Sequence, residues 1–142
     1  HLVGEFFGAR EKEEILTPIK TYGLEKYVIC YGNQSGEALN NIFNQCDFAI
    51  GSLARHRSGI THIKTLKNRE YAARGFGFIY SETDDDFEQM PYILKVPADE
   101  SPIDLPQLIT FYQQLSLSPE TIRNSILHLS WEAQMKKVLT NQ

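Results

Sequence analysis

The chain has 142 residues, of which 42% are hydrophobic and 11% are aromatic, and its formal net charge is -4. This length and this composition predict a single folded domain with one hydrophobic core, and the aromatic content argues against disorder. No apolar run approaches the roughly 20 residues that cross a bilayer, and the first residues lack the order of a signal peptide, so we expect a cytoplasmic location.

Short apolar runs alternate with helix-like segments along the chain. This alternation is typical of a mostly parallel sheet with helices on both faces, so the predicted fold class is a three-layer α/β/α domain. The predicted strands are Leu2–Phe6, Tyr27–Tyr31, Phe48–Gly51, Phe76–Tyr80 and Tyr92–Val96. Two predicted helices are Lys12–Lys20 and Lys67–Arg74, and a third follows a turn at Asn33–Gly36 and carries Leu39, Ile42 and Phe43. A fourth predicted helix runs from Ser101–Asp104 through Tyr112. A long final helix is predicted to begin at Ser118-Pro119-Glu120 and to pack through His128, Trp131 and Met135.

The segment Ala54–Gly75 holds six of the 14 Lys and Arg residues of the chain but only one of its 18 acidic residues, Glu70. A basic segment isolated in an acidic chain indicates one local site for a small anion, and it disfavours nucleic-acid binding. The segment follows the third predicted strand, at the edge where open parallel sheets bind ligands. We therefore expect Arg55, Arg57 and Lys64 to converge on a diphosphate beside the start of the next helix.

Glu70 lies about one turn inside that predicted helix. Its carboxylate could therefore reach a sugar hydroxyl next to the bound phosphates, as acidic residues do in dinucleotide folds. The alternative is a structural role, in which Glu70 pairs with Arg69 or Arg74 or simply favours the helix start. The residues alone leave both interpretations open.

Other polar residues carry weaker signals. His56 and His62 have side chains suited to acid–base chemistry near neutral pH, although loop histidines that hydrogen-bond phosphate or solvent are the simpler interpretation. The acidic run Asp84–Asp86 is typical of a solvated turn, and neither this run nor the two cysteines predicts a metal site.

Several stretches of the chain together resemble a known family. They are Leu2-Val3-Gly4, Gly23–Val28 with Gly32 after it, Asn44–Leu53, and Leu66–Gly75 followed by Phe78-Ile79. In this order and at this spacing they resemble the nucleotide-binding, C-terminal half of GT-B-fold glycosyltransferases, particularly the retaining family-4 type. The resemblance covers nearly the whole chain and implies a Rossmann-like sheet.

The resemblance also implies roles for individual residues. Many family members have two glutamates eight positions apart, of which the second contacts the donor ribose while N–H groups of the turn between them contact the phosphates. Glu70 stands at the second position, and His62 stands where the first glutamate is usual, so this chain departs from the pattern there. The expected phosphate-binding residues are Arg55, Arg57, Lys64, Thr65, Leu66 and Lys67; the expected base-binding residues are Tyr31, Gly32 and Asn33. No catalytic residue is assigned.

For the whole protein, the resemblance implies a hexosyltransferase. It would transfer a sugar from a UDP- or GDP-sugar to a sugar or lipid-linked acceptor, without a metal or other cofactor. The reaction would belong to bacterial polysaccharide or glycoconjugate synthesis and would take place in the cytoplasm or at the inner membrane face. The acceptor domain and the first strand–helix unit of this half are expected to be missing from this chain, so we expect the piece alone to be inactive and to be able to self-associate. The alternatives are a non-catalytic α/β domain that binds an anion or a partner, and a response-regulator-like domain, for which Asp47 stands before its strand rather than after it.

Overall fold

The computed structural model describes residues 1–140, and the chain divides into two compact units, His1–Cys46 and Asp47–Gln142. The described residues contain six α-helices and a three-stranded parallel sheet, which confirms that the chain is α/β. The prediction of one domain over the whole chain stays a prediction. Within residues 1–140, no helix combines the length and the apolar character needed to cross a membrane.

The unit His1–Cys46 is built on two helices, α1 (Ala9–Thr21) and α2 (Gly36–Phe43). Both lie where the sequence predicts a helix, and α1 begins three residues earlier than expected. In α2, Ile42 is buried, as its position on the apolar side of the predicted helix requires.

The two strands predicted in this unit, Leu2–Phe6 and Tyr27–Tyr31, are wrong. The two segments form an isolated parallel bridge at Leu2, and the N–H of Gly4 donates to the carbonyl of Gly32 at 2.9 Å, but neither segment forms a strand. Directly after the bridge, Gly4 has a φ of 125° in one segment and Gly32 has a φ of 66° in the other. These left-handed backbone conformations are open to glycine, and they end the extended geometry that a longer ladder needs.

The unit Asp47–Gln142 contains a sheet of three parallel strands in the order β1 (Ala49–Ile50), β2 (Phe78–Tyr80) and β3 (Ile93–Lys95). Phe78 of the central strand pairs with Ala49 on one side and with Ile93 on the other. All three residues of β2 are fully buried, as expected for the inner strand of a parallel sheet. The strands predicted at these three places are confirmed, although each is shorter than predicted.

The core of this unit is centred on the aromatic ring of Phe78. The ring centroid lies 5.4 Å from that of Phe87 in an edge-to-face arrangement and 6.3 Å from that of Tyr92. Ala72 of helix α3 (Leu66–Arg74) and Ile122 of helix α5 (Pro119–Ser125) belong to the same buried cluster. The core therefore ties two helices to the sheet at its central strand.

Helix α3, which carries three of the six cations of the basic segment, has clear end signals. Thr65 is the N-cap, and its hydroxyl accepts the N–H of Asn68 at 3.5 Å. Gly75 ends the helix with a φ of 85°, the left-handed conformation common after a helix C-terminus. The predicted end of this helix at Gly75 is confirmed.

The C-terminal region is more divided than predicted. Helix α4 spans Leu105–Gln114 and begins, as expected, after Ser101–Asp104. Ser118 caps α5, which confirms the predicted start. The prediction of a single long final helix is wrong, because α5 ends at Ser125 and helix α6 (Trp131–Thr140) follows a short 3-10 turn.

Two serine side chains explain this break. The hydroxyl of Ser125 donates to the carbonyl of Ile122 at 2.7 Å, and such a bond competes with the helical hydrogen bonds. Ser130 has an extended backbone, with φ of -60° and ψ of 151°, and its hydroxyl accepts the N–H of Ala133 at 3.2 Å. Ser130 therefore starts a new helix instead of continuing the old one.

The packing roles predicted for three residues of this region are also wrong. Trp131 is 85% exposed, and His128 and Met135 are exposed as well. The helical break removes them from the face that continues α5. Helix α6 thus presents an apolar side to solvent.

We predict that Gly75→Ala destabilises the unit Asp47–Gln142 by about 3 kcal/mol, because the substitution adds left-handed strain and an overpacked contact. A Cβ at this position would lie 2.6 Å from the Cβ and the carbonyl oxygen of Pro119. Gly59→Ala is the matched control, since Gly59 has a φ of 68° but open space around it. We expect this control to lose only about 1–2 kcal/mol. Urea denaturation measures both free energies of unfolding, and equal losses would contradict the role of the Pro119 contact.

Candidate functional site

The loops that leave the carboxyl ends of the three strands lie along one edge of the sheet in the unit Asp47–Gln142. We call this the carboxyl edge, and it comprises Gly51–Ser58 after β1, Ser81–Asp86 after β2 and Val96–Glu100 after β3. The predicted path of the basic segment is confirmed, since it follows β1 and enters α3. In parallel α/β sheets, this is the edge at which ligands bind.

The basic segment is attached to the loop after β2 by backbone hydrogen bonds. The N–H of Ile63 donates to the carbonyl of Thr83 at 2.8 Å, and the N–H of Thr83 donates to the carbonyl of Thr61 at 2.9 Å. His62, between the two bonds, forms an isolated bridge with Thr83 and has an exposed side chain. The approach of the chain to α3 is therefore held against the sheet.

A buried carboxylate, that of Glu82, holds the other end of the segment. Glu82 is only 2% exposed; its Oε1 accepts the backbone N–H of His56 at 3.0 Å, and its Oε2 accepts the hydroxyl of Ser81 at 2.6 Å. Burial by itself would raise the pKa of Glu82, but these bonds and the N–H groups of Glu82 itself and of Arg55 outweigh burial and lower that pKa. The bonds therefore stabilise the fold above the unfolded-state pKa near 4.3, and this contribution is lost as the pH falls through the lowered value.

The turn that Glu82 holds is a strained one. The 3-10 turn Arg55–Ser58 is bracketed by Ala54, with a φ of 59°, and Gly59, with a φ of 68°. Ala54 has the one positive φ among the non-glycine residues in 1–140, and this conformation costs on the order of 1–2 kcal/mol. A carboxylate that accepts hydrogen bonds from the backbone at the start of the turn offsets this cost.

The six cations of the basic segment fall into two classes. Three of them form ion pairs: Arg57 with Glu100, Arg69 with Asp84 and Asp86, and Arg74 with Glu70. The other three, Arg55, Lys64 and Lys67, make no ion pair within residues 1–140. These three residues therefore carry the positive charge of the segment that no acidic side chain within residues 1–140 pairs with.

Arg55 and Lys67 are brought close to one another. Burial, and next the positive charge of Arg55, lower the pKa of Lys67. Neither cation makes an ion pair within residues 1–140, although Glu82 accepts the backbone N–H of Arg55, so an anion that met both side chains would stabilise them. Lys64 is exposed on the loop before α3, and no contact within residues 1–140 joins it to Arg55 or Lys67.

The first turn of α3 adds backbone donors to this pair. Thr65 is the N-cap and Leu66 the first helical residue, so N–H groups of this turn have no partner within the helix. The side chain of Leu66 is exposed, which leaves its backbone as the group relevant to an anion. Helix N-termini attract phosphates because these donors and the helix dipole act together.

The acidic run Asp84–Asp86 is not the solvated turn that the sequence suggests. Asp84 is fully buried, and its Oδ2 accepts bonds from the side-chain amide of Asn68 at 3.1 Å and from Arg69 Nη1 at 3.4 Å. Asp86 pairs with the other guanidinium nitrogen of Arg69, so Asp85 is the exposed member of the run. Sequence reasoning missed Asn68 and Arg69, because neither spacing nor residue type marks a buried network.

Arg69 connects this network to the start of α3. Its Nη1 also donates to the carbonyl of Thr65 at 3.0 Å, and its guanidinium carbon lies 5.7 Å from the ring centroid of Phe87. The N-terminal turn of α3 is thereby joined to the loop after β2. This connection holds the first turn of α3, which includes Lys67, against that loop.

Glu70, the predicted ribose ligand, pairs with the next turn of its own helix. Its Oε1 accepts both Nε of Arg74 at 3.1 Å and Nη2 of Arg74 at 3.0 Å. The structural alternative, an ion pair with Arg74, is therefore observed. The ribose role stays a prediction.

The predicted base-binding residues belong to the unit His1–Cys46. Tyr31 stacks on His1 and its hydroxyl lies 2.9 Å from the imidazole Nδ1; Asn33 is exposed. Gly32 lines a cavity of about 450 Å³ together with the segment after Leu2 and the start of α1. Base binding stays a prediction for all three.

Within residues 1–140, no group of three or more His, Cys, Asp or Glu side chains is arranged to hold a metal ion. No protein-family model, no curated protein and no solved structure matches this chain.

We predict that Asp84→Ala destabilises the unit Asp47–Gln142 by about 3 kcal/mol, because it leaves the amide of Asn68 and part of the Arg69 guanidinium without a buried acceptor. Asp85→Ala is the matched control one residue away, and its exposed side chain predicts a change within about 0.5 kcal/mol. Urea denaturation at neutral pH measures both. Similar losses for the two variants would contradict the buried network.

Proposed function

We propose that this chain is the donor-binding part of a glycosyltransferase of GT-B architecture, with a Rossmann-like, three-layer α/β/α organisation. In this proposal it binds a nucleoside diphosphate sugar, with UDP or GDP as the nucleotide, through the carboxyl edge. The observation that carries the proposal is the placement of two cations that make no ion pair within residues 1–140: Arg55 lies on the turn after β1, and Lys67 lies in the first turn of α3 beside its backbone N–H donors.

The donor phosphates would lie between this pair and the backbone N–H groups of Thr65 and Leu66. Charge-assisted bonds from a guanidinium and an ammonium suit phosphate oxygens, and Lys64 adds positive charge from the preceding loop. In sugar transfer the diphosphate is the leaving group. Cations held at this position would stabilise the negative charge that develops on it as the bond to the sugar breaks.

Glu70 would bind the ribose in this arrangement. Both bonds from Arg74 go to Oε1, which leaves Oε2 as an acceptor for a sugar hydroxyl. The ion pair with Arg74 and the ribose contact would use different oxygens of the carboxylate, so the two roles are compatible. The acceptor sugar would bind outside these 142 residues.

This proposal assigns no catalytic role to His56 or His62. Nε2 of His56 lies 2.9 Å from Glu100, and Nδ1 of His62 lies 3.0 Å from the hydroxyl of Thr61. These contacts agree with the simpler interpretation of both residues as loop histidines that make hydrogen bonds.

We predict that UDP or GDP binds this chain and that Lys67→Ala weakens the binding about tenfold, since one charge-assisted bond is lost. Glu70→Ala should weaken the binding of the nucleoside diphosphate by a similar factor but leave the affinity for inorganic pyrophosphate unchanged, because pyrophosphate has no ribose. Isothermal titration calorimetry with UDP, GDP, ADP and pyrophosphate measures these affinities.

Arg74→Ala is the control for Glu70→Ala, because it breaks the same ion pair and keeps the carboxylate. Its affinity for UDP or GDP should stay within about twofold of the wild-type value, since an exposed pair contributes little. If no nucleoside diphosphate binds more tightly than pyrophosphate, the proposal fails, and the alternative of a non-catalytic anion-binding domain is supported. If Glu70→Ala has no effect on UDP or GDP, the ribose role is wrong.

A further inference from the structure

A surface carboxylate already occupies part of the basic segment. The Oε1 of Glu100 accepts Nε of Arg57 at 2.7 Å and lies 2.9 Å from Nε2 of His56, and its Oε2 accepts Nη2 of Arg57. Glu100 lies on the loop that follows β3, and the other two residues lie on the turn that follows β1. The contact therefore crosses the carboxyl edge from one loop to another.

The geometry of this contact is that of a bound anion. A guanidinium that uses two nitrogens on two oxygens of one group binds carboxylate and phosphate in the same way. The imidazole of His56 supplies a further polar contact to the same carboxylate. A phosphate group has the oxygens needed to replace all of these contacts at once.

The two sides of the contact differ in how firmly they are held. The turn that carries His56 and Arg57 is held by the hydrogen bond from the backbone N–H of His56 to the buried carboxylate of Glu82. The side chain of Glu100, in contrast, is 63% exposed and belongs to a loop. Exposed ion pairs contribute about 0–1 kcal/mol, so a ligand with greater negative charge can displace this carboxylate while the turn keeps its shape.

We propose that His56 and Arg57 form a phosphate subsite of the carboxyl edge, and that Glu100 occupies this subsite until a phosphate-bearing ligand displaces it. The inference rests on the proposed function in taking the ligand of this edge to be a diphosphate. Arg55, two positions before Arg57, places another cation on the same turn. Glu100 then acts as an internal competitor of the donor.

The ionisation of Glu100 agrees with this role. Its hydrogen bonds with Arg57 and His56 lower its pKa to about 2. The carboxylate is therefore charged throughout the neutral range, and the competition does not depend on its protonation there.

The test is calorimetric titration of inorganic pyrophosphate and of UDP into the wild-type chain, Glu100→Gln and Asp99→Asn. Removing the competitor should tighten pyrophosphate binding about threefold to fivefold in Glu100→Gln, the factor that corresponds to an exposed ion pair. Asp99→Asn removes the same charge one residue away, from a carboxylate that bonds to Ser101 and acts on His56 only through space, and should change the affinity less than twofold. Arg57→Gln should weaken pyrophosphate binding and abolish the gain when combined with Glu100→Gln.

The outcomes separate this inference from the proposed function. Equal gains in Glu100→Gln and Asp99→Asn would overturn the subsite, because they would reflect net charge alone. No gain or a loss in Glu100→Gln would also overturn it, because Glu100 would then serve to order the cations. If UDP binds the wild-type chain better than pyrophosphate but Glu100→Gln changes nothing, the proposed function stands and the subsite fails. If Glu100→Gln tightens pyrophosphate and UDP binds no better than pyrophosphate, the subsite stands and the nucleotide function fails.

Discussion

The hydrogen bonds that the buried carboxylate of Glu82 accepts from the loop after β1 determine the shape of the candidate site. This loop contains the left-handed Ala54. Its short 3-10 turn would be unfavourable alone, because left-handed alanine is strained. Glu82 accepts backbone donors there while it lies against the end of the central strand, so the turn takes its position from the sheet.

With the turn in place, the arrangement of charges follows from which cations meet an acid. Arg69 is drawn inward by the buried Asp84 and fixes the first turn of α3, while Glu100 engages Arg57 from the solvent side. Arg55 and Lys67 are left without an ion pair within residues 1–140. The site thus combines a rigid, neutralised interior with a small unneutralised surface, which is the distribution that a site for an anionic ligand needs.

The sequence predicted the α/β class, the three parallel strands and the path of the basic segment, because continuous apolar runs and end signals such as Thr65 and Gly75 are local properties. The sequence-based predictions failed where the local structure depends on contacts between residues far apart in the chain. Asp84 reads as a surface acid, and only the folded chain brings Asn68 and Arg69 to it. The break after Ser125 depends on the capping geometry of Ser130, which a helical pattern conceals. Glu100 carries no motif, and its contact with Arg57 exists only because the loops after β1 and β3 share one edge.

The most direct test of this account is hydrogen–deuterium exchange at the His56 amide, followed by NMR at neutral pH in the wild-type chain and in Glu82→Gln. This amide donates to Glu82, so we predict about tenfold faster exchange in the variant, where a charge-assisted bond becomes a neutral one. The amide of Ile63, which donates to Thr83 in the same segment, should exchange at an unchanged rate. Equal exchange of His56 in the two proteins would contradict the claim that Glu82 holds the turn.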